Sequence, residues 1–469
     1  MPTPSEAAAG YTDLMLACRD GRADAVTSCL AAGAAVDAKN AKGSTSLIVA
    51  SAGGRTECVA LLLAANAKVD ATNAGGLTAL MAAAAGNHTA VVTALTAAGA
   101  NMEASTTSRV TSLILATQKG QSESVGALIK AGAATNAATA DGNTSLLFAC
   151  HYGYAGIVSQ LATAGAEVNA KMTADASSGL MLASAKGDVA IVDALLAARA
   201  DVHLRRKHGI TALMLAALGG HHETAARLCE AGALAGVSNE EGLTALLLAA
   251  GNADAATVSA VLTAPDVTTA LDAIDEDGST ALMLASGKGD ATTVSALLAA
   301  RASVEVANSR QWSALMFACQ GYSTEAVSAL LDAGAAVDAT SSEGVTSLLI
   351  ASANGNAAAA TTLLKHSAQL EAADKDGRRS LMLAVKAGSA ETAAALLEAG
   401  ASVDAAAPDG WRSAMFAEAR GDEVGKELLS MLRAAGAAEL SEMESALAAG
   451  FSEDEAQGAL QAVAEAHRK

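Results

Sequence analysis

The chain has 469 residues, of which 52% are hydrophobic and only 2% aromatic, and its formal net charge is −19. That charge repels nucleic-acid phosphates and anionic membranes, so neither is predicted as a partner. The scarcity of aromatic residues excludes an ordinary globular core and favours one built mainly from Ala, Leu and Val.

Residues 1–9 are predicted to form an N-terminal tail. The opening segment, Met1 to Glu6, lacks a basic region followed by an apolar one, so no secretory signal is expected. The longest apolar runs, such as residues 245–250, are too short to cross a membrane. Six cysteines without a Cys-x-x-Cys pair suit a reducing compartment. These features predict a cytoplasmic protein, and the nucleus stays open as an alternative.

Residues 10–438 are predicted to form one repeat array. A leucine returns about every 33 residues, which is the mark of a stacked repeat protein. A thirteenth unit carries Ala414 in the leucine position. We number the repeats by these leucines: Leu14, Leu47, Leu80, Leu113, Leu146, Leu180, Leu213, Leu246, Leu282, Leu315, Leu348 and Leu381.

Repeat three shows the local pattern. Thr78 is a natural N-cap for a short first helix, which Gly86 then breaks. A second helix carries Val91 and Leu95 on one apolar face. Gly99 suits the left-handed residue that ends many helices. Each repeat is therefore predicted to hold two short helices.

The recurring pattern is Gly-x-Thr-x-Leu, then Ala-x-x-Gly, then a Leu-Leu helix, then Ala-Gly-Ala-x-Val-[Asn/Asp]-Ala. It resembles the ankyrin repeat, and repeat two shows it well from Gly43 to Ala71. The resemblance implies an all-α solenoid of paired antiparallel helices with a projecting β-turn finger in each repeat. The family's Thr-Pro-Leu-His becomes Thr-Ala-Leu-Met or Thr-Ser-Leu-Ile here, and methionine is expected to fill core space in place of histidine. These methionines are Met81, Met181, Met214, Met283, Met316 and Met382.

The period breaks twice. Repeat six gains one residue near 171–179, which predicts an irregular finger. Three residues are gained near 265–274, where Pro265 replaces the helix-ending glycine. Insertions in a solenoid lie in loops or alter its twist, so we expect a kink near 265–274.

Residues 439–469 leave the repeat and carry an excess of acidic residues. Two short helices are predicted, the second starting at a capping box formed by Ser452 and Glu455. One interpretation is a polar cap that closes the last repeat. The other follows from residues 443–452, including Phe451, which are similar to the opening of ubiquitin-associated domains. Ubiquitin is the partner that this second resemblance implies.

The sparse aromatic residues are the candidate partner-binding residues. In the ankyrin family, the position one before the Thr N-cap lines the concave face between finger and first helix. Three more aromatic residues lie near the end of a first helix. Trp and Tyr are frequent binding anchors, but these rings could instead pack over the Ala-rich neighbouring repeat. The candidates are Tyr11, Trp312 and Trp411 in the first position, and Tyr152, Tyr154 and Tyr322 near the helix ends.

Fingertip charge is uneven along the array. Arg205, Arg206, Lys207 and His208 form a basic tip on repeat seven, and these four residues are candidates for partner binding. Acidic tips follow at Glu240–Glu241 and at 275–277. Opposed charges could orient a partner, whereas the alternative is that water simply solvates them. The acidic balance favours protein partners with a basic surface.

Motifs for chemistry are absent from the sequence. Gly287-Lys288 and Gly425-Lys426 are not followed by Ser or Thr, and His222-Glu223 has no second histidine for a zinc helix. We therefore predict no enzyme activity, no cofactor and no metal. The predicted function is a scaffold or adaptor that binds a partner protein on the concave face. The alternative is a ubiquitin-pathway adaptor that uses the C-terminal helices.

Overall fold

The computed structural model describes residues 9–450. The chain divides into two compact units, Met1–Ala233 and Leu234–Lys469. Within each unit, every repeat contributes a short first helix, a turn and a second helix. The first helices are Asp13–Asp20, Ser46–Ala52, Ala79–Ala85, Ser112–Gln118, Ser145–Tyr152, Gly179–Lys186, Ala212–Leu218, Ala245–Gly251, Ala281–Lys288, Ala314–Gln320, Ser347–Ala353, Ser380–Ala387 and Ser413–Arg420. The second helices are Ala23–Ala31, Thr56–Ala64, Thr89–Ala97, Ser122–Lys130, Ala155–Thr163, Val189–Ala197, His222–Glu230, Ala255–Val261, Ala291–Ala299, Thr324–Asp332, Ala357–Lys365, Ala390–Glu398 and Glu423–Ala434.

In repeats one to eleven the start of the first helix is capped by one side chain. In repeat three the Thr78 hydroxyl accepts a hydrogen bond from the Met81 N–H at 3.2 Å, which satisfies a donor that the helix leaves free. Thr or Ser has this role in repeats one to eleven, whereas Arg379 and Arg412 replace it in repeats twelve and thirteen without a side-chain cap. The N-cap predicted at Thr78 is confirmed.

The core of each unit lies between its rows of first and second helices. The twelve leucines that define the repeats are each no more than 3% exposed. Val91 and Leu95 of repeat three are fully buried, as predicted. The six methionines that stand where the Thr-Pro-Leu-His pattern has histidine are each no more than 1% exposed, which confirms that they fill core space. Ala and Ser residues occupy further buried positions of the first helices.

The fingers are tight turns, and in six of the described fingers the two ends meet in an isolated antiparallel bridge. Residues 9–450 contain no longer strand. In most of these bridges the paired residues are six positions apart, as in Ile274 and Thr280. In repeat six they are Lys171 and Ser178, seven apart, so the extra residue lies inside that finger. Ala176 there adopts a left-handed φ of 62°.

The three-residue gain near 265–274 forms a short extra helix, Val267–Ala270. Asp266 just before it accepts hydrogen bonds from the backbone N–H groups of Ala235 and Gly236, at 2.7 and 2.9 Å. The insertion therefore supports the preceding repeat. The kink expected here stays a prediction.

A further helix, Glu442–Ala448, packs against the first helix of repeat thirteen. Arg412 forms ion pairs with Glu444 at 2.8 Å and with Asp404 at 3.0 Å. The Ser441 backbone N–H, together with the Ser441 hydroxyl and Arg412, lowers the pKa of Glu444. This helix occupies the position that a terminal cap would take. The second helix predicted from Ser452, together with Phe451, lies outside the described residues.

Candidate partner-binding surface

A ladder of hydrogen bonds joins successive repeats within each unit. A carboxylate or amide oxygen near the start of one finger segment accepts from a backbone N–H about 31 residues further along the chain. Asp70, for example, accepts from Asn101 at 2.9 Å. The acceptors are Asp37, Asp70, Glu103, Asn136 and Asn169 in the first unit, and Asp272, Glu305, Asp338, Glu371 and Asp404 in the second.

Many of the acidic side chains behind the negative net charge belong to this ladder. Eight of the ten acceptors are carboxylates, so these charges hold repeats together. These carboxylates keep their negative charge, but each also has a structural role. Carboxylates outside the ladder carry more information about binding.

The fingertips themselves are held by side-chain caps. In repeat ten the Asn308 side-chain oxygen accepts from the backbone N–H groups of Arg310 and Trp312, at 3.0 and 2.9 Å. A backbone hydrogen bond from Ser309 to the Asp277 carbonyl, at 3.0 Å, joins this finger to the finger before it. The positions of finger side chains are thus set by the backbone.

Repeat ten carries one of the densest groups of aromatic rings. The Trp312 ring meets Phe317 edge to face, with centroids 5.3 Å apart, and the Arg310 guanidinium lies 5.9 Å from the Trp312 ring centroid. Phe317 packs over Gly287 of the preceding repeat, where an added Cβ would be 3.2 Å from its ring. Trp312 and Phe317 remain half-exposed. One side of each ring packs on the protein and the other is open to solvent.

Tyr322 lies at the opposite end of the same first helix. Its side chain is 62% exposed. Its backbone has a left-handed φ of 62°, in a position where the repeats on either side have Gly289 and Gly355. A bulky residue in that conformation costs about 1–2 kcal/mol, and such outliers concentrate at functional sites. Tyr322 is thus an exposed ring held at a local energetic cost.

Repeat thirteen has an aromatic pair at the same two positions as Trp312 and Phe317. The rings of Trp411 and Phe416 are 4.6 Å apart, and the Lys386 ammonium lies 5.8 Å from the Phe416 ring centroid. The aromatic position before the N-cap and the phenylalanine five residues later form the same contact in both repeats.

Repeat five, in the first unit, holds the third aromatic group. Tyr152 is 48% exposed and lies among three other rings, at centroid distances of 5.0 Å from His151, 5.9 Å from Tyr154 and 6.3 Å from Phe148. The Tyr154 ring packs over Gly120 of the preceding repeat, where an added Cβ would meet it at 2.9 Å. Tyr154 therefore packs over the neighbouring repeat, as one interpretation expects. It also supports the exposed Tyr152, which fits the other interpretation, a binding anchor.

Sequence reasoning missed the three phenylalanines. Phe148, Phe317 and Phe416 each lie two residues after the leucine position, and all three are half-buried on a first helix. Their common position in the repeat was a signal that could have found them. Tyr11, by contrast, is half-buried beside the N-cap Thr12 of repeat one, and no other ring among residues 9–450 contacts it.

The basic tip of repeat seven is partly engaged with the finger of repeat six. Arg206 forms an ion pair with Asp175 at 3.5 Å, and the Lys207 backbone N–H donates to the Asp175 carbonyl at 2.9 Å. The Ser177 hydroxyl, together with Arg206, lowers the pKa of Asp175. Arg205 and His208 complete the tip, and neither is without a partner. Arg206 and Lys207 therefore have a structural role, because they join the fingers of repeats six and seven.

An exposed apolar side chain, Ile274, directly precedes the acidic tip of repeat nine. Ile274 is 52% exposed, and its carbonyl lies 3.6 Å from the position that a Cβ on Gly242 would take. Glu241, Glu276 and Asp277 are exposed on the same two fingers. Ion pairs to these three carboxylates are absent among residues 9–450.

Other types of site leave little trace in the described part of the chain. No three His, Cys, Asp or Glu side chains of residues 9–450 come together in a way that could hold a metal ion. No helix in that range is both long enough and apolar enough to cross a bilayer. A groove of about 1280 Å³ runs across the second helices of repeats three to five, between Thr93 and Gln160, and contains none of the candidate aromatic residues.

Paired short helices, a connecting finger and contacts restricted to neighbouring repeats define the class of α-helical repeat proteins. The family model for ankyrin repeats (three copies) matches residues 14–106, 97–172, 180–270, 259–341 and 316–407. The chain belongs to the ankyrin repeat family, and the predicted all-α repeat solenoid is confirmed. No curated protein was found to match the chain. Ankyrin repeats are generic modules for binding other proteins.

Proposed function

We propose that this protein is a scaffold or adaptor that binds a partner protein through the face formed by its fingers and first helices. The observation that carries the proposal is the concentration of aromatic side chains. Of ten Phe, Trp and Tyr residues in the chain, eight lie in repeats five, ten and thirteen. Large aromatic rings are the most frequent anchors of protein interfaces.

Exposure supports the same conclusion. Tyr152 and Tyr322 are 48% and 62% exposed. Tyr322 also occupies a backbone conformation that glycine would adopt without strain. Keeping a tyrosine there opposes stability, so the proposal assigns it to binding. A cytoplasmic location is part of this proposal.

The test is affinity capture followed by mass spectrometry, with the full chain as bait. Trp312→Ala and Tyr322→Ala should each reduce the amount of a specific partner at least fivefold, as loss of an interface anchor does. Lys365→Ala, on an exposed part of a second helix, is the matched control and should retain that partner.

A further variant separates binding from folding. Tyr322→Gly removes the ring and also relieves the backbone strain. If the alanine variant lost its partner through unfolding, the glycine variant would regain it. The proposal expects the glycine variant to stay folded and still bind weakly, and full binding by either Tyr322 variant would refute it.

A further inference from the structure

One position at the end of the first helix carries long side chains in three successive repeats of the first unit. The position lies six residues after the leucine that defines each repeat. It holds Lys119 in repeat four, Tyr152 in repeat five and Lys186 in repeat six, and we call these three residues the Lys–Tyr–Lys row. Glycine or asparagine stands at the same position in six other repeats, so the turn itself does not need a long side chain there.

The row combines an exposed ring with positive charges that no carboxylate neutralises. All three side chains are exposed. Neither lysine forms an ion pair among residues 9–450, although the chain contains 49 acidic residues. The Lys119 ammonium makes no hydrogen bond in that range either. Lys186 donates to the His151 carbonyl, next to Tyr152, and an ammonium group has two further donors.

The Tyr152 ring is held in place by its aromatic neighbours. Phe148, one turn earlier on the same helix, stacks on it with the two ring planes 10° apart. The Tyr154 ring lies 5.9 Å from it and packs in turn over Gly120 of repeat four. A ring that is supported by the protein and open to solvent loses little side-chain freedom when it binds an apolar group. Tyr152 is therefore preorganised as a contact for another molecule.

The helix dipole explains only part of this arrangement. A cation near the end of a helix is stabilised by about 0.3–1 kcal/mol, and Lys288 in repeat nine is a single case of this kind. The dipole gives no reason for an exposed tyrosine between two lysines. Asp188, on the adjoining turn, is used within repeat six, where it accepts from the Ile191 N–H at 3.1 Å. Complementary charge for the two lysines must come from another molecule.

The row follows the direction of the stack, so its spacing sets the spacing of a binding segment. The first helix of repeat five packs against the first helices of repeats four and six. Packed helices lie about 8–10 Å apart, which places the two lysines about 16–20 Å apart with Tyr152 between them. An extended chain advances about 3.3 Å per residue, so carboxylates about six positions apart can reach both lysines.

We propose that the Lys–Tyr–Lys row binds an extended acidic segment of a partner protein, in which two carboxylates six positions apart flank an apolar residue. The carboxylates pair with Lys119 and Lys186, and the apolar residue covers Tyr152. This inference rests on the proposed function and names the partner chemistry at one part of its binding face. The charge of this segment is opposite to the charge that the net charge of the chain favours in a partner.

The probe is a fluorescein-labelled heptapeptide with glutamate at both ends, leucine at the centre and serine elsewhere, and the measurement is fluorescence anisotropy with the full chain. Tyr152→Ala should weaken binding at least fivefold, as loss of an interface anchor does. Lys119→Met/Lys186→Met should weaken it about fivefold, since each exposed ion pair contributes little by itself. Circular dichroism checks that the variants stay folded.

Matched controls separate the row from changes in overall charge or stability. Lys130→Met/Lys365→Met removes the same charge from exposed positions on two second helices and should change the affinity less than twofold. Lys119→Met alone loses no hydrogen bond and should still weaken binding about twofold.

A second peptide separates the row from the net charge of the chain. It carries lysine in place of both glutamates and should bind at least fivefold more weakly than the glutamate peptide, because its charges face Lys119 and Lys186. A third peptide, with the two glutamates adjacent, should bind about twofold more weakly because only one lysine is within reach.

Three results would overturn the inference: no detectable binding of the glutamate peptide, equal or tighter binding of the lysine peptide, and an equal loss of affinity in the row variants and the second-helix variant. If any of them occurs while Tyr322→Ala still loses its captured partner, the proposed function stands and only the acidic segment is wrong. If Tyr322→Ala keeps its partner, the proposed function fails on its own test.

Discussion

Replacing Arg301 with glycine is expected to stabilise the second unit. Arg301 follows the second helix of repeat nine and adopts a left-handed φ of 71°, whereas Gly334 and Gly400 occupy the same position in other repeats with φ near 90°. The left-handed conformation costs a residue with a side chain about 1–2 kcal/mol. Glycine loses about 0.4–1 kcal/mol through its greater freedom in the unfolded chain. The net gain is therefore roughly 0.5–1 kcal/mol.

Replacing Arg301 with glycine changes few other interactions. Its side chain is exposed, and it takes part in no ion pair among residues 9–450. Its backbone N–H donates to the Leu298 carbonyl at 2.9 Å, a bond that glycine keeps. The assay is urea denaturation followed by circular dichroism, with hydrogen exchange in residues 291–299 as the local readout. Arg301→Ala is the control, because alanine removes the long side chain but keeps the strained Cβ. Equal stabilisation by alanine and glycine would refute the argument from strain.

Three further predictions concern the ladder, the terminal helix and the thiols. Asp338→Ala should cost about 1 kcal/mol in urea denaturation because the Gln369 N–H loses its acceptor, whereas Asp338→Asn should cost little. The lowered pKa of Glu444 means that its contribution to stability is present above the unfolded-state pKa and is lost as pH falls through the folded-state value. The protection of residues 442–448 against hydrogen exchange, relative to the intrinsic exchange rate at each pH, should therefore fall in acid, and the same pH profile in Glu444→Gln would contradict this. Burial raises the pKa of the Cys150 thiol to about 12, so at pH 8 a thiol reagent should modify the half-exposed Cys29 long before Cys150.

The repeat pattern was enough to predict the two helices and their caps. Thr78, Leu80 and Gly99 each do what their position implied, because helix capping, burial and left-handed termini depend on a few adjacent residues. The Asp–backbone ladder was not predicted. Its donor is a main-chain N–H some 31 residues away, and no side-chain pattern marks that partner.

The candidate site was only partly predictable for the same reason. Tyr152 and Tyr322 were found because aromatic residues are rare, and both are exposed. The strain at Tyr322 could not be read from composition, since it depends on the backbone angle of one turn. The sequence predicts Arg206 as part of a basic tip that binds a partner or is solvated, whereas in three dimensions it pairs with Asp175.

The ladder also bears on how such a chain can lengthen. Each link joins a side chain of one repeat to a main-chain N–H of the next, and every residue type except proline supplies that N–H. A duplicated repeat therefore carries its own acceptor. The next repeat needs only a residue other than proline at the donor position. Gly236 has no side chain that could accept a hydrogen bond. At this junction Asp266, from later in the chain, accepts instead from the backbone N–H groups of Ala235 and Gly236. The array can thus drift in sequence, or gain copies, wherever a repeat keeps its acceptor.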